Sequence, residues 1–288
     1  MTTTMTVTSG VRRARSAVGA LPRSARAGAA ILVVLAAVAV LAPLIAPHDP
    51  NAIDSARILA APDLGHPFGS DALGRDVFSR TVFAFRTSLS IVFAAVAVAS
   101  LVALPLGTLA GYFGGWVDQI ISRPLDMLLV LPALLLAISL IAIVGPGSLV
   151  AALAIALIYL PILARVQRAS ALVVSQSGFV EGGRARGWSP LAVIRRHVVP
   201  NALGPLLVQA AILAGFAVQI EAALSFLGLG TQPPTPSLGL MLSDGRDVLT
   251  QAPWVEIFPG LAIAVVVLAF NLLGDGLRRH LDPQGVVS

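Results

Sequence analysis

The stretch Ser88–Gly111, SLSIVFAAVAVASLVALPLGTLAG, contains no charged side chain and no regular alternation of polar and apolar positions. It exceeds the roughly 20 residues that a helix needs to cross a hydrocarbon core of about 30 Å. Inside lipid every backbone N–H and C=O must be satisfied, which leaves helices and closed barrels. Barrel strands alternate, so this segment reads as a membrane-spanning helix. Working outward, Ala27–Ala46, Met127–Val144, Ser148–Ala164, Leu203–Leu224 and Ile257–Leu273 approach or reach the same length. The pattern predicts an all-α integral membrane protein with six transmembrane helices. The fourth is short, and Arg165 at its end is expected to snorkel to the interface.

Composition agrees with this reading. Of 288 residues 57% are hydrophobic and 11% charged, against roughly 25% charged in soluble domains, and the mean hydropathy is +0.89. The spans leave no room for a water-soluble enzyme. All 19 basic residues are Arg, so no Walker lysine exists and the chain cannot hydrolyse ATP through a P-loop by itself. The absence of Cys excludes disulfides, thiolate metal sites and Cys nucleophiles. Neither an H-E-x-x-H helix nor a G-x-S-x-G elbow occurs. His48, His66, His197 and His280 fall at no metal-ligand spacing, so neither catalytic residues nor a metal site is expected.

Arginine placement sets the orientation. With the N-terminus inside, the inner segments hold Arg12, Arg13, Arg15, Arg23, Arg26, Arg123, Arg165, Arg168, Arg184, Arg186, Arg195, Arg196, Arg278 and Arg279. The outer segments hold only Arg57, Arg75, Arg80, Arg86 and Arg246. The excess of 14 to 5 predicts both termini cytoplasmic. It also explains the pI near 11.1 without nucleic-acid binding. Arg12-Arg13 superficially resembles a twin-arginine signal, but the apolar run is longer than a usual signal core and no A-x-A site follows, so an uncleaved span is expected. Residues 1–26 read as a cytoplasmic arm, 27–277 as the membrane domain and 278–288 as a cytoplasmic tail.

Three longer connections remain: 47–87 and 225–256 outside, and 165–202 inside. In the inner one, Ser189-Pro190 is a helix start, with a cap and a proline at the first position. Leu191, Ile194 and Val198 follow at helical spacing, Arg195 and Arg196 lie on other faces, and Pro200 is expected to end the run. Phe179–Arg186 suggests another short helix breaking at Gly187. Such a pair suits docking into a groove on a soluble partner, or lying on anionic lipid. Outside, Asp71 to Arg75 and Asp76 to Arg80 are spaced i, i+4, acid first. With Leu73, Val77 and Phe78 they suggest a surface amphipathic helix laced by weak pairs, or a substrate contact. In EAALSFLGLGTQPPTPSLGL, glycines with Pro233, Pro234 and Pro236 forbid a continuous helix, and the segment reads as an outer gate or a rigid loop. Glu221 and Gln232 belong to it. Gln209, Gln219, Asn271 and Asp275 are the other polar residues in or near the last two spans. Both carboxylates are expected near interfaces, where hydration accommodates them without a proton-relay role.

The inner segment resembles the EAA loop of bacterial ABC-importer permeases, whose pattern is E-A-A, three residues, G, nine residues, I-x-L-P. Here Glu181-Gly182-Gly183, Gly187 and His197-Val198-Val199-Pro200 match that spacing in full. Gly182 and Gly183 replace the two alanines, His197 the Ile and Val199 the Leu. The literal EAA at Glu221-Ala222-Ala223 lies on the outer side by topology. Further stretches resemble the dipeptide/oligopeptide/nickel permease group, C-type subunit. They are HPFGSD at 66–71, LGRDVFSR at 73–80, RTSL at 86–89, EAALSFLGLG at 221–230, QPP at 232–234, Pro236-Ser237, FNLLGDGLR at 270–278 and LDP at 281–283. Leu238 and Leu160-Pro161 stand where the group often has Trp.

The resemblance implies a type I importer fold. It also implies an ATP-driven function, with di- or oligopeptides as the commonest cargo and nickel chelates among the alternatives. Implied partners are a homologous second permease, two ABC ATPase subunits or one fused ATPase, an extracytoplasmic substrate-binding protein and membrane lipid. ATP and Mg would reside on the ATPases. Glu181, Gly182, Gly183, Gly187 and Pro200 would shape the coupling loop, and charge adds Arg184, Arg186, Arg195 and Arg196 as docking residues. Asp71, Arg75, Asp76, Arg80, Glu221 and Gln232 are candidates for the outer gate. A self-sufficient secondary transporter is the alternative; it requires internal pseudo-symmetry and broken mid-membrane helices, for which Pro105 and Pro132 are weak signs.

Overall fold

A computed structural model describes residues 22–281. Arg12, Arg13 and Arg15, most of the N-terminal arm and the end of the tail lie outside the described residues. Helix α1 spans Arg23–Val40 and is followed by the short α2, Ala42–Ile45. An outer segment with one 3-10 turn, Ser55–Arg57, leads to α3, Val77–Phe113. Then come α4 (Gly115–Val130), α5 (Ala133–Val144), α6 (Ser148–Ser175), α7 (Gly178–Ala185) and α8 (Pro190–Val193). The π-helical turn Ile194–Val198 joins α8 to α9, Val199–Phe226, and α10 (Leu238–Arg246) and α11 (Trp254–Leu281) complete the described chain.

Among the described residues five helices are long and apolar enough to cross a membrane: α1, α3, α6, the run Pro190–Phe226 and α11. The third expected span differs. Met127–Val144 is not one straight helix, because α4 and α5 meet at 97° and make at most one broken span. The cause is local. Pro132 has no N–H to continue the ladder and forces its predecessor out of the helical region, and Leu131 is extended at φ −80°, ψ 134°.

A second difference concerns Pro200, which does not end the inner helix. It sits in the first turn of α9, directly after the π-turn, and the helical run continues to Phe226. A proline clashes with the carbonyl four residues back. Widening the preceding turn to the i→i+5 pattern lets the backbone pass from the inner loop into the membrane without a break.

The core is built from small residues. Val92, Ala95, Ala99 and Ala103 of α3 pack against Ile155, Tyr159 and Leu163 of α6, with Leu213 and Ala217 of α9 and Phe270 of α11 behind them. Gly107 and Gly111, four apart on α3, sit on the backbone of α6. A Cβ at Gly107 would lie 2.5 Å from the Ala164 carbonyl, and one at Gly111 would meet that of Arg168. This small-xxx-small contact brings the helices close enough for dispersion to hold them where no hydrophobic drive operates. Thr108 and Gln167 hydrogen-bond across the same seam at 2.9 Å. Below it, Arg168 grips Asp118 through two bonds of 2.5 Å, and Arg165, largely exposed, pairs with Asp126 at 2.5 Å. The bent α4, which buries no residue of its own in this chain, is thereby tied to α6.

Candidate functional site

At the inner end of α6 the chain turns back into α7, turns again at Gly187, and re-enters the membrane through α8 and α9. Ser189 caps α8 by accepting a hydrogen bond from the Ala192 amide, with Pro190 in its first turn. Gly187 has φ +77° and open space around its Cβ position. That backbone conformation, not crowding, is why glycine stands there.

One side of this pair of helices is buried. Val180, Val193 and Val198 pack with Ala171 and Ala202 into a small separate core, which Tyr112 and Trp188 flank. The other side is charged and exposed, with Glu181, Arg184, Arg186, Arg195, Arg196 and Pro200 all facing out. Aromatic rings shape the arginines. Arg184 lies 4.7 Å over Tyr112 and donates to its hydroxyl at 3.2 Å. Arg186 and Arg196 flank Trp188 at 5.3 and 5.1 Å, and Trp188 stacks on His197 at 5.2 Å. Ser189, Leu191, Ala192, Arg195 and Arg196 line an open depression, and Leu191 presents 70% of its surface to it. Gly182 has nothing within 4 Å of a Cβ, and at Gly183 a Cβ would make ordinary contacts of 3.7 Å to His197, Trp188 and Val193. The backbone therefore accommodates alanine at both positions.

The outer candidates are arranged differently from the expected surface helix. Asp71 and Arg75 do pair, Nε to Oδ2 at 2.6 Å, but across a turn in which Asp71 Oδ1 also accepts the Leu73 and Arg75 amides. Asp76 does not pair with Arg80. It caps α3 by accepting the Ser79 amide at 2.7 Å and faces His66 Nδ1 at 3.0 Å. Arg80 is 1% exposed and reaches Asp71 at 3.5 Å, Asp244 at 3.8 Å and the Pro50 carbonyl at 3.1 Å. Arg75 also reaches Asp244, at 3.3 Å. The four side chains form one charge-balanced network, buried at Asp71, Arg75 and Arg80 and open to the surface at Asp244, that joins the outer segment, the head of α3 and α10. Burying such charges costs several kcal/mol each unless they are well paired, so these are not weak surface pairs. Burial pushes the Asp244 carboxyl above its ordinary range against the opposing pull of Arg80 and Arg75. Further out, the hydrogen bonds from Arg57 and the His66 amide hold Asp63 down at about 2.

Glu221 is also corrected. It is not a hydrated interfacial carboxylate but 0% exposed, with Ser225 donating to its Oε1 at 2.8 Å. Gln232 is exposed and closes its own loop, donating to the Gly228 and Gly230 carbonyls at 2.9 and 3.1 Å. The inner-loop candidates and the outer candidates thus lie at opposite ends of the bundle. Spacing gave no sign of a third group, in which His48 and His66 meet Asp76; the three come from separate turns of the outer segment and only the folded chain joins them.

Residues 103–284 match the pattern of the family described as "Binding-protein-dependent transport system inner membrane component". Residues 23–62 match the "N-terminal TM domain of oligopeptide transport permease C". The chain is 42% identical over 247 residues to a dipeptide transport system permease protein of Alkalihalophilus pseudofirmus, covering 86% of this chain and 81% of that one. It is 41% identical over 254 residues to a glutathione transport system permease protein of Pectobacterium atrosepticum, covering 88% and 84%. A probable D,D-dipeptide transport system permease protein of Escherichia coli is 40% identical over 256 residues, covering 89% and 86%. Among solved structures, the MetNI methionine ABC transporter in an inward-facing conformation superposes with a TM-score of 0.57 at 20% identity, over 70% of this chain and 97% of that chain. An amino acid ABC transporter gives a TM-score of 0.54 at 18% identity, over 70% and 94%. These two likenesses concern the fold.

Proposed function

The chain belongs to the family of binding-protein-dependent transport system inner membrane components, and from that premise we propose that it is the C-type permease of an importer of small peptides, coupled to its ATPases through residues 181–200. A member of this family is a multi-pass inner membrane subunit of an ABC importer, works with ATPase and substrate-binding-protein partners, and is not itself an enzyme. The relatives named for dipeptides, D,D-dipeptides and glutathione support small peptides as the cargo. The finer assembly we propose is a homologous second permease beside this one in the lipid, with two ATPase subunits, or one fused chain, docked beneath. ATP and Mg belong to those ATPases.

The observation that carries the coupling role is the two-sided build of α7 and α8. Their apolar side is sunk into the bundle through Val180, Val193 and Val198, so a push on them moves α6 and α9. Their outer side offers Leu191 in an open depression rimmed by Arg195 and Arg196, with Glu181, Arg184 and Arg186 alongside. That combination suits an apolar anchor in a groove with an acidic rim on the ATPase. Closure of the ATPase pair on ATP would drive the loops together and open the pathway outward, and hydrolysis would reset it. The outer network of Asp71, Arg75, Arg80 and Asp244 is assigned to the scaffold of the outer gate, together with Asp76 at the head of α3 and, separately, Glu221 and Gln232.

The test is Gly187→Val in the assembled importer reconstituted in vesicles. A β-branched residue at φ +77° strains the turn by about 1–3 kcal/mol and disorders the angle between α7 and α8. ATP hydrolysis should persist while peptide uptake falls tenfold or more. Unchanged uptake at a normal amount of complex would overturn the coupling assignment.

A further inference from the structure

The outer segment brings together two histidines that the transport reading does not use and one carboxylate, Asp76, to which it gives only a scaffold role. His48 follows the first span, His66 lies in the loop beyond it, and Asp76 stands at the head of α3. One potential ligand atom from each lies within 4.8 Å of the others. We propose that His48, His66 and Asp76 form a binding site for a divalent transition-metal ion of the class that imidazole prefers, such as Zn2+, Ni2+ or Cu2+. The ion would act as a clasp on the outer segment, not as a cofactor of the transport step. Its placement on the outer side rests on the topology of the proposed permease.

The donor set suits such an ion. Two imidazole nitrogens and one carboxylate oxygen favour these metals over Mg2+ or Ca2+, which take oxygen. The carboxylate is held ready for it. Asp76 is 2% exposed, its Oδ2 is fixed by the Ser79 amide at 2.7 Å, and its Oδ1 is turned toward His66 Nδ1 at 3.0 Å. The loop bearing His48 is anchored to the same helix head, since the His48 amide donates to Ser79 Oγ at 3.2 Å. The nearby arginines are committed to Asp71 and Asp244. Among the described residues the only basic groups within 4 Å of the Asp76 carboxylate are the two imidazoles, at 3.0 and 3.9 Å. A buried carboxylate needs a compensating charge or full hydrogen bonding, and a dication held by the histidines supplies the charge.

The rings stack at 4.3 Å with 14° between their planes, and both Nδ1 atoms face the same carboxylate. A metal lies in the plane of each ring that binds it, which requires one ring to turn. His48, with 41% of its side chain exposed against 13% for His66, has the freedom to do so. Three protein ligands leave one tetrahedral position open. His48 also lines a depression with Pro43, Asp49, Pro50 and Phe83, from which water would complete the shell.

The assembled importer, stripped with a chelator and exchanged into metal-free buffer, is titrated with Co2+, Zn2+ and Ni2+ as the free ions. Tightly held metal is counted by mass spectrometry, and the visible spectrum of bound Co2+ reports the geometry. Because partner subunits also bind metals, the reading is the difference between wild type and His48→Ala, His66→Gln and Asp76→Asn. The last two replacements retain a hydrogen-bonding or capping side chain, so the fold persists. Wild type should hold one more equivalent per permease than each variant, with a tetrahedral Co2+ band, and its unfolding temperature should rise with metal while that of His48→Ala stays constant. The affinity of the site should fall at least tenfold in each variant. Equal metal content in wild type and His48→Ala, or a Co2+ spectrum unchanged by all three substitutions, would overturn the site. Peptide uptake is a separate reading: an importer that transports peptide but binds no additional equivalent of metal would sink this inference and leave the permease assignment standing.

Discussion

Gly182 and Gly183 occupy the positions where the coupling-loop pattern carries two alanines, and the surroundings of both have space for a methyl group. Each glycine costs a helix about 1 kcal/mol relative to alanine. Gly182→Ala with Gly183→Ala should therefore raise the unfolding temperature of the purified complex slightly and leave uptake intact, measured by calorimetry beside a vesicle assay. Arg80 is the opposite case. It is buried and shared between Asp71 and Asp244, so Arg80→Ala should cost about 3 kcal/mol, read as lost thermal stability and a lower yield of assembled complex. At Asp244 the sign of a pH effect follows from burial. A carboxyl whose folded pKa lies above its ordinary 3.8 makes its full contribution to stability below that value, and loses it as pH rises through the raised one. Asp244→Asn should flatten that decline in a pH series of unfolding temperatures.

At the scale of elements, apolar length located five of the six expected spans as continuous helices, because in lipid a run of that length has one solution. The caps were equally legible, with Ser189-Pro190 starting α8 and Gly187 breaking α7 as its spacing suggested. What sequence could not give depends on contacts between distant segments. Asp76 and Arg80 have the spacing of a helical pair, but Asp76 became a helix cap, and Arg80 found better partners 9 residues back and in α10. Pro132 read as a weak interruption and proved to be an elbow of 97°. Pro200 read as a stop and was absorbed by a π-turn. The seam of α3 on α6 is the element whose geometry is least forgiving. Gly107→Leu would force the helices apart at the Ala164 carbonyl, at a cost of about 1–3 kcal/mol or more. It should reduce the yield of assembled complex from the membrane, while Leu101→Ala, at an exposed position of the same helix, should leave it unchanged.

The molecule as a whole divides its labour by depth. A charge-balanced cluster secures one end, small residues pack the middle, and a two-sided helix pair closes the opposite end. The central claim is that this inner pair meets the ATPase. The chain has no cysteine, so single cysteines can be placed without background from this subunit. The decisive measurement compares Arg186→Cys on the inner loop with Asp63→Cys on the outer one, each labelled with a maleimide photo-crosslinker in the assembled importer. Arg186→Cys should yield an adduct with the ATPase whose amount changes when ATP is added, and Asp63→Cys should yield none. An ATPase adduct from the outer position, or none from Arg186→Cys in a complex that still transports, would contradict the account.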